Sequence, residues 1–198
     1  MKTIQNFVLP FSSLLSIKYS SKPVCVMFED EASFGRINKP KRCWCPKGIR
    51  PAVPCQHIRE YTYARAAVSP HDGQMVSLIL PNTNTVCMSL FLEEVSRRFP
   101  DEHILIIMDK AAWHTAGKLC IPDNVEIFPL LPYSPELNPV EQIWDEVREK
   151  GFKNEVFGSL SLVEGRLCDT LLYLENNTAK VHCITAWNWF VSISLIAK

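Results

Sequence analysis

Apolar residues in this chain fall into short unbroken runs. Val24–Phe28 reads Val-Cys-Val-Met-Phe, and His103–Met108 contains Ile-Leu-Ile-Ile-Met. Runs of this length without polar alternation predict buried strands. The first stops at Glu29-Asp30-Glu31 and the second at Asp109. Tyr61–Val68 and Met75–Leu80 flank Ser69-Pro70-His71-Asp72-Gly73, and Asp-Gly between two strand-like runs signals a hairpin. Val125–Leu131 predicts another strand, closed by Pro132.

Helical spacing occurs elsewhere. Leu90, Phe91, Val95 and Phe99 mark one face of a helix over Val86–Phe99, ended by Pro100. After the loop 133–139, Asn138 suits a cap and Pro139 the first turn of a helix reaching about Lys150. Ser161-Leu162-Val163-Glu164 reads as a capping box that opens a last helix to about Asn176. The order strand, excursion, strand, strand, helix, strand, strand, helix, helix is a mixed α/β pattern.

Residues 1–22 have no clean period and read as a lead-in or linker. Lys2 and the apolar stretch Phe7–Ile17 have some leader character, but Pro10, Ser12 and Ser13 interrupt it. Neither this stretch nor Trp187–Ala197 reaches the length of a membrane span. Residues 23–155 then form the main domain, and 156–198 a C-terminal helical extension.

The interval 34–57 differs in character. It holds four prolines and two glycines, and Arg36, Lys39, Lys41, Arg42, Lys47 and Arg50 fall within it. It predicts an extended, turn-rich basic excursion after the first strand. The chain as a whole has 21 basic and 21 acidic residues, so this positive charge is local. Local positive charge beside a candidate site suits phosphate contact, and Trp44 suits base stacking; a solvated loop with an anchoring Trp is the plainer alternative.

Eight cysteines are scattered through a chain rich enough in aliphatic residues to need no disulfide scaffold, and they read as reduced and cytosolic. Cys43-Trp44-Cys45 and Cys55-Gln56-His57 invite a zinc reading, but one-residue gaps are poor ligand spacing, and zinc is not expected.

Two strand ends deliver Asp30 and Asp109. If the strands are parallel neighbours, both carboxylates emerge at one sheet edge, where ligands of open α/β sheets gather. Glu141, in the first turn of the following helix, can point to the same edge. Converging carboxylates are hard oxygen donors suited to Mg²⁺ or Mn²⁺. Asp145, one turn on, is a competitor, and Glu141 is preferred as nearer the helix start. Taken singly, each acid reads equally as a turn former, a cap or a partner of the helix dipole.

The surrounding residues narrow this. Phe28-Glu29-Asp30-Glu31-Ala32-Ser33-Phe34-Gly35-Arg36 resembles the first catalytic block of IS630-type insertion-sequence transposases, relatives of the Tc1/mariner elements in the DDE superfamily. Ile106–His114 resembles the second block, and Leu131-Pro132-Tyr133-Ser134-Pro135-Glu136-Leu137-Asn138-Pro139-Val140-Glu141-Gln142-Ile143-Trp144 the third. The resemblance spans about residues 24 to 190. It implies an RNase H-like mixed five-stranded sheet flanked by helices, with the basic insertion after the first strand.

It further implies cut-and-paste DNA transposition, with Asp30, Asp109 and Glu141 holding two Mg²⁺ or Mn²⁺ ions. Glu31 and His114 are supporting residues, and His114 reads equally as a packing or capping residue. The implied partner is double-stranded DNA, contacted by Arg36, Lys39, Lys41, Arg42, Trp44, Lys47, Arg50 and Lys110, with a homodimer pairing two ends. A non-transposing RNase H-like nuclease and an inactive binding module are the alternatives. Lys110 stands where the family commonly has Asn. The 32 positions from Asp109 to Glu141 make a slightly short interval. Residues 1–22 leave no room for the family's usual helix-turn-helix region, so the chain reads as a catalytic half alone.

Overall fold

The computed structural model describes residues 22–38, 40–109, 119–130 and 135–187. Five strands form one sheet: β1 (Val24–Ile37), β2 (His57–Val68), β3 (Met75–Leu80), β4 (His103–Met108) and β5 (Val125–Pro129), in the order β3-β2-β1-β4-β5. The β1–β2 and β2–β3 pairs are antiparallel, and the β1–β4 and β4–β5 pairs are parallel. Four helices complete the described fold: α1 (Thr85–Arg98), α2 (Val140–Gly151), α3 (Leu160–Glu175) and α4 (Thr178–Thr185).

Strand alternation sorts the core into two layers. Cys25, Met27, Ala67, Val76, Ile104, Ile106 and Met108 face α1, which covers them with Met88, Phe91, Leu92 and Val95. Val26, Phe28, Ala32, Phe34, Ala64, Ala66, Leu105 and Ile107 face α2, α3 and α4. Those helices contribute Ile143, Trp144, Val147, Val163, Leu167, Leu171 and Val181. Leu90, expected on the buried face of α1, is instead 50% exposed, because the apolar stripe runs through Met88 and Leu92.

Several boundaries differ from the sequence expectations, and β2 begins at His57 rather than Tyr61. β1 does not stop at Glu29 but continues to Ile37, so Asp30 sits inside a strand. The excursion is correspondingly shorter, a long connection between β1 and β2. β5 ends at Pro129 rather than Leu131. α3 is capped by Ser159, whose hydroxyl accepts from the Leu162 amide at 3.3 Å, and not by Ser161. α4 was not anticipated; Asn177 caps it through the Lys180 amide.

The excursion is closed at its base and tied back to the domain. Asn38 and Gln56 hydrogen-bond across its base, with Asn38 Oδ1 accepting from the Gln56 amide at 2.7 Å. Asn154, in the left-handed region at φ 57°, accepts from the Lys41 amide at 2.8 Å and donates to the Lys41 carbonyl at 3.2 Å. Asn is among the few non-glycine residues that tolerate that conformation.

Candidate active site

The parallel ladder between β1 and β4 sets the site. Its partners differ by a constant 79 positions, from Val24 opposite His103 to Phe28 opposite Ile107. That register carried two residues further puts Asp30 level with Asp109, on strands about 4.8 Å apart. Both residues have the parity of the face covered by α2: Asp30 follows Val26 and Phe28, and Asp109 follows Leu105 and Ile107. Asp109 is exposed at the end of β4, and Asp30 is partly buried.

Glu141 arrives from the other side, in the first turn of α2. Asn138 fixes that turn against β1. It is 4% exposed, its Nδ2 donates to the Glu29 carbonyl at 3.0 Å, and its Oδ1 accepts from the Val140 amide at 3.2 Å. One turn on, Trp144 Nε1 donates to Asp30 Oδ2 at 3.1 Å. Asp145, the competitor, faces solvent.

Charge at this edge is uneven. Asp30 is pushed up to about 7, first by burial and then by the carboxylates of Glu29 and Glu141; the Glu31 amide and Trp144 oppose the shift. Asp109 in turn acts on Glu29, whose own pKa burial raises to about 7 against the pull of Arg65. Asp30 and Glu141 are therefore electrostatic neighbours with an excess of negative charge. Among the described residues, no three His, Cys, Asp or Glu side chains are gathered tightly enough to hold a metal ion as they stand. The donor set is all carboxylate oxygen, which fits a hard divalent ion.

Glu31 lies on the opposite face of β1. It and Glu29 both bind the guanidinium of Arg65 on β2, Glu29 through Nη1 at 2.7 Å and Glu31 through Nη2. Arg65 is only 1% exposed. Sequence reasoning missed Arg65, Asn138 as a strap to β1, and the indole–Asp30 bond. The one available signal was that two charged residues flank Asp30 inside what proves to be a strand.

The expected DNA-contacting residues are divided. Arg42, Lys47 and Arg50 are exposed on the excursion, and Trp44 is fully exposed. Lys41 is exposed near Glu149, with 3.7 Å between Nζ and Oε2. Arg36 turns inward instead: Nη1 pairs with Glu60 at 2.9 Å and Nε donates to the Phe157 carbonyl at 2.9 Å. Its guanidinium is held by the fold, away from the exposed group. Lys39, Lys110 and His114 lie outside the described residues. Cys55 Sγ and His57 Nε2 are 3.2 Å apart, and Cys45 Sγ instead contacts the Ile49 carbonyl. No described helix is long and apolar enough to cross a membrane.

Comparison with known proteins bears on the fold and on the family. Two solved Mos1 structures, a mariner paired-end complex with Mn and a pre-cleavage transpososome, share the fold with TM-scores of 0.62 and 0.63 at 16% identity. They cover 100% of this chain, which spans only 62% and 63% of theirs. The sheet is thus RNase H-like, as the sequence blocks implied. An uncharacterised Sinorhizobium fredii protein, y4pE/y4sA, is 34% identical over 132 residues, or 66% of this chain and 86% of that protein. The model of the DDE superfamily endonuclease family matches residues 25–163, a span that contains Asp30, Asp109 and Glu141. On that match, which covers more than half of the sequence, the chain belongs to the DDE superfamily of endonucleases.

Proposed function

We propose that this chain is the catalytic domain of a transposase that cuts and joins double-stranded DNA, with Asp30, Asp109 and Glu141 as ligands of two divalent ions, Mg²⁺ or Mn²⁺. The observation that carries the reading is the convergence of β1, β4 and the first turn of α2 on one edge, with Asp30 and Asp109 in register and Glu141 acting on Asp30. The fold neighbours support it, being described as Mos1 paired-end complexes with Mn or with Mg.

Bound divalent ions supply Lewis-acid stabilisation of the charge that develops during phosphodiester displacement. The chain's own contribution is to hold three carboxylates on rigid elements. Trp144 occupies one oxygen of Asp30, Asn138 fixes the start of α2, and Arg65 balances the flanking glutamates from the far face. Exposed Arg42, Lys47 and Arg50 neutralise backbone phosphates, and Trp44 lies against a base. Water is the nucleophile for donor cleavage and a DNA 3′-hydroxyl for strand transfer, with two copies of the chain acting on paired ends.

The test is Mg²⁺- or Mn²⁺-dependent nicking of supercoiled plasmid, with joining of a labelled oligonucleotide 3′-end as a second readout. Asp30→Asn and Glu141→Gln proteins, shown to be folded by circular dichroism, should lose both activities. Undiminished nicking by either variant overturns the assignment. Nicking of RNA–DNA hybrids without DNA joining overturns the transposase reading alone.

A further inference from the structure

Two rulers lead from the acids to one place. On the face of β1 that presents Asp30, the next side chains are Ala32 and Phe34, and four strand residues carry Phe34 about 13 Å beyond Asp30. On α2, Arg148 lies seven residues past Glu141, about 10 Å at helical rise. The two meet, with the Arg148 guanidinium 5.5 Å from the centre of the Phe34 ring. A cavity of about 540 Å³ opens there, lined by Phe34, Tyr61, Lys41, Arg148 and Lys153. That volume suits a small organic group.

The lining is chemically selective. Among the described lining residues, three cations face one carboxylate, that of Glu155. Lys41 and Lys153 also contact Glu149 outside the cavity, in exposed pairs that hold their partners weakly. Tyr61 is 42% exposed and is the ring most open to a ligand. It is opposite Gly35 in the β1–β2 ladder, and a Cβ on Gly35 would collide with the Tyr61 ring and the Glu60 carbonyl. Glycine at position 35 therefore allows the ring to lie across the strand.

We propose that this cavity is a nucleotide subsite for DNA. It takes an unpaired base against Tyr61, with the phosphate held by Lys41 and Lys153. The direction of the strand rests on the catalytic reading above. Since a B-form strand advances about 3.4 Å per nucleotide, the subsite lies about three to four nucleotides from the scissile phosphate.

The experiment is fluorescence anisotropy at low salt, comparing an oligothymidylate with an abasic oligodeoxynucleotide of equal length. The unaltered chain should prefer the base-bearing strand about tenfold, the scale of one base stacked on one aromatic ring. In a Trp44→Ala background, which removes the other ring assigned to a base, Tyr61→Phe should keep that preference and Tyr61→Ala should abolish it. Lys153→Ala should weaken both strands alike. Equal affinity of the Trp44→Ala protein for the two strands, no binding of either, or a preference that survives Tyr61→Ala in that background overturns the proposal. Plasmid nicking is measured on the same preparations. Loss of base preference with metal-dependent nicking intact removes the subsite alone, whereas base preference without nicking in the unaltered chain removes the catalytic reading.

Discussion

The indole Nε1 of Trp144 donates to Oδ2 of Asp30 at 3.1 Å, joining the helix that carries Glu141 to the strand that carries Asp30. Trp144 is 1% exposed and packs edge-on against Phe34 at 6.0 Å. The bond commits one carboxylate oxygen and leaves the other for a cation. Trp144→Phe removes the donor while keeping an aromatic ring in the core. Hydrogen bonds to charged groups contribute about 1.5–3 kcal/mol, so Mg²⁺ affinity measured by calorimetry should fall about tenfold or more. Unchanged metal affinity with a lowered melting temperature would show that the indole only packs.

Asn138 makes the complementary link at the other end of the same turn. Asn138→Ala abandons the Glu29 carbonyl and the Val140 amide together, both in a buried setting. Denaturant unfolding should show a loss of about 1–3 kcal/mol. Nicking should fall further than stability explains, because the first turn of α2 sets the position of Glu141. A variant that loses stability but keeps full nicking per folded molecule would reduce Asn138 to a structural strap.

Most of the sheet was legible because its central strands are continuous apolar runs, and β4 has the expected limits. The continuation of β1 through Glu29-Asp30-Glu31 was not. Three consecutive acids read as a strand end unless a partner for the outer two is known, and that partner is Arg65, 34 and 36 residues away. The cap of α3 shows a different limit. Ser159 and Ser161 are both plausible caps, and the chain uses the earlier one, which places Ser161 and Glu164 inside the helix. α4 is only eight residues long, too short for a periodic stripe, and its burial comes through Val181 and Thr185. Within the proposed site, the three candidate acids could be named from their surrounding blocks. Their supports, Trp144, Asn138 and Arg65, were not, since each acts through a contact distant in sequence.

Removing Arg65 should unfold the back of the site. Arg65→Met leaves Glu29, 3% exposed, beside Glu31 with no guanidinium between them. Breaking a buried pair in this way costs about 3–5 kcal/mol. Adding Glu29→Gln and Glu31→Gln to the same protein removes the uncompensated charge and should restore much of the stability in urea unfolding. If the triple variant is no better than Arg65→Met, packing of the arginine stem rather than charge balance explains the loss.

The thiols offer a check on burial and on alkaline stability together. Of the eight free cysteines, Cys25 and Cys87 are buried and the other six are exposed. Iodoacetamide at pH 8 should therefore alkylate Cys43, Cys45, Cys55, Cys120, Cys168 and Cys183 while sparing Cys25 and Cys87 until the chain is denatured. Cys25 is held as a thiol: burial first, then the charges of Glu102 and Asp72, raise its pKa from 9.0 to about 12. Because the folded value lies above the unfolded one, its contribution to stability is fully present below pH 9.0 and is lost as pH rises through about 12. Cys25→Ala should lower stability at neutral pH by leaving a small void, yet flatten the decline across that alkaline window. A decline as steep in Cys25→Ala as in the unaltered chain, followed by circular dichroism, would assign the alkaline limb to other groups.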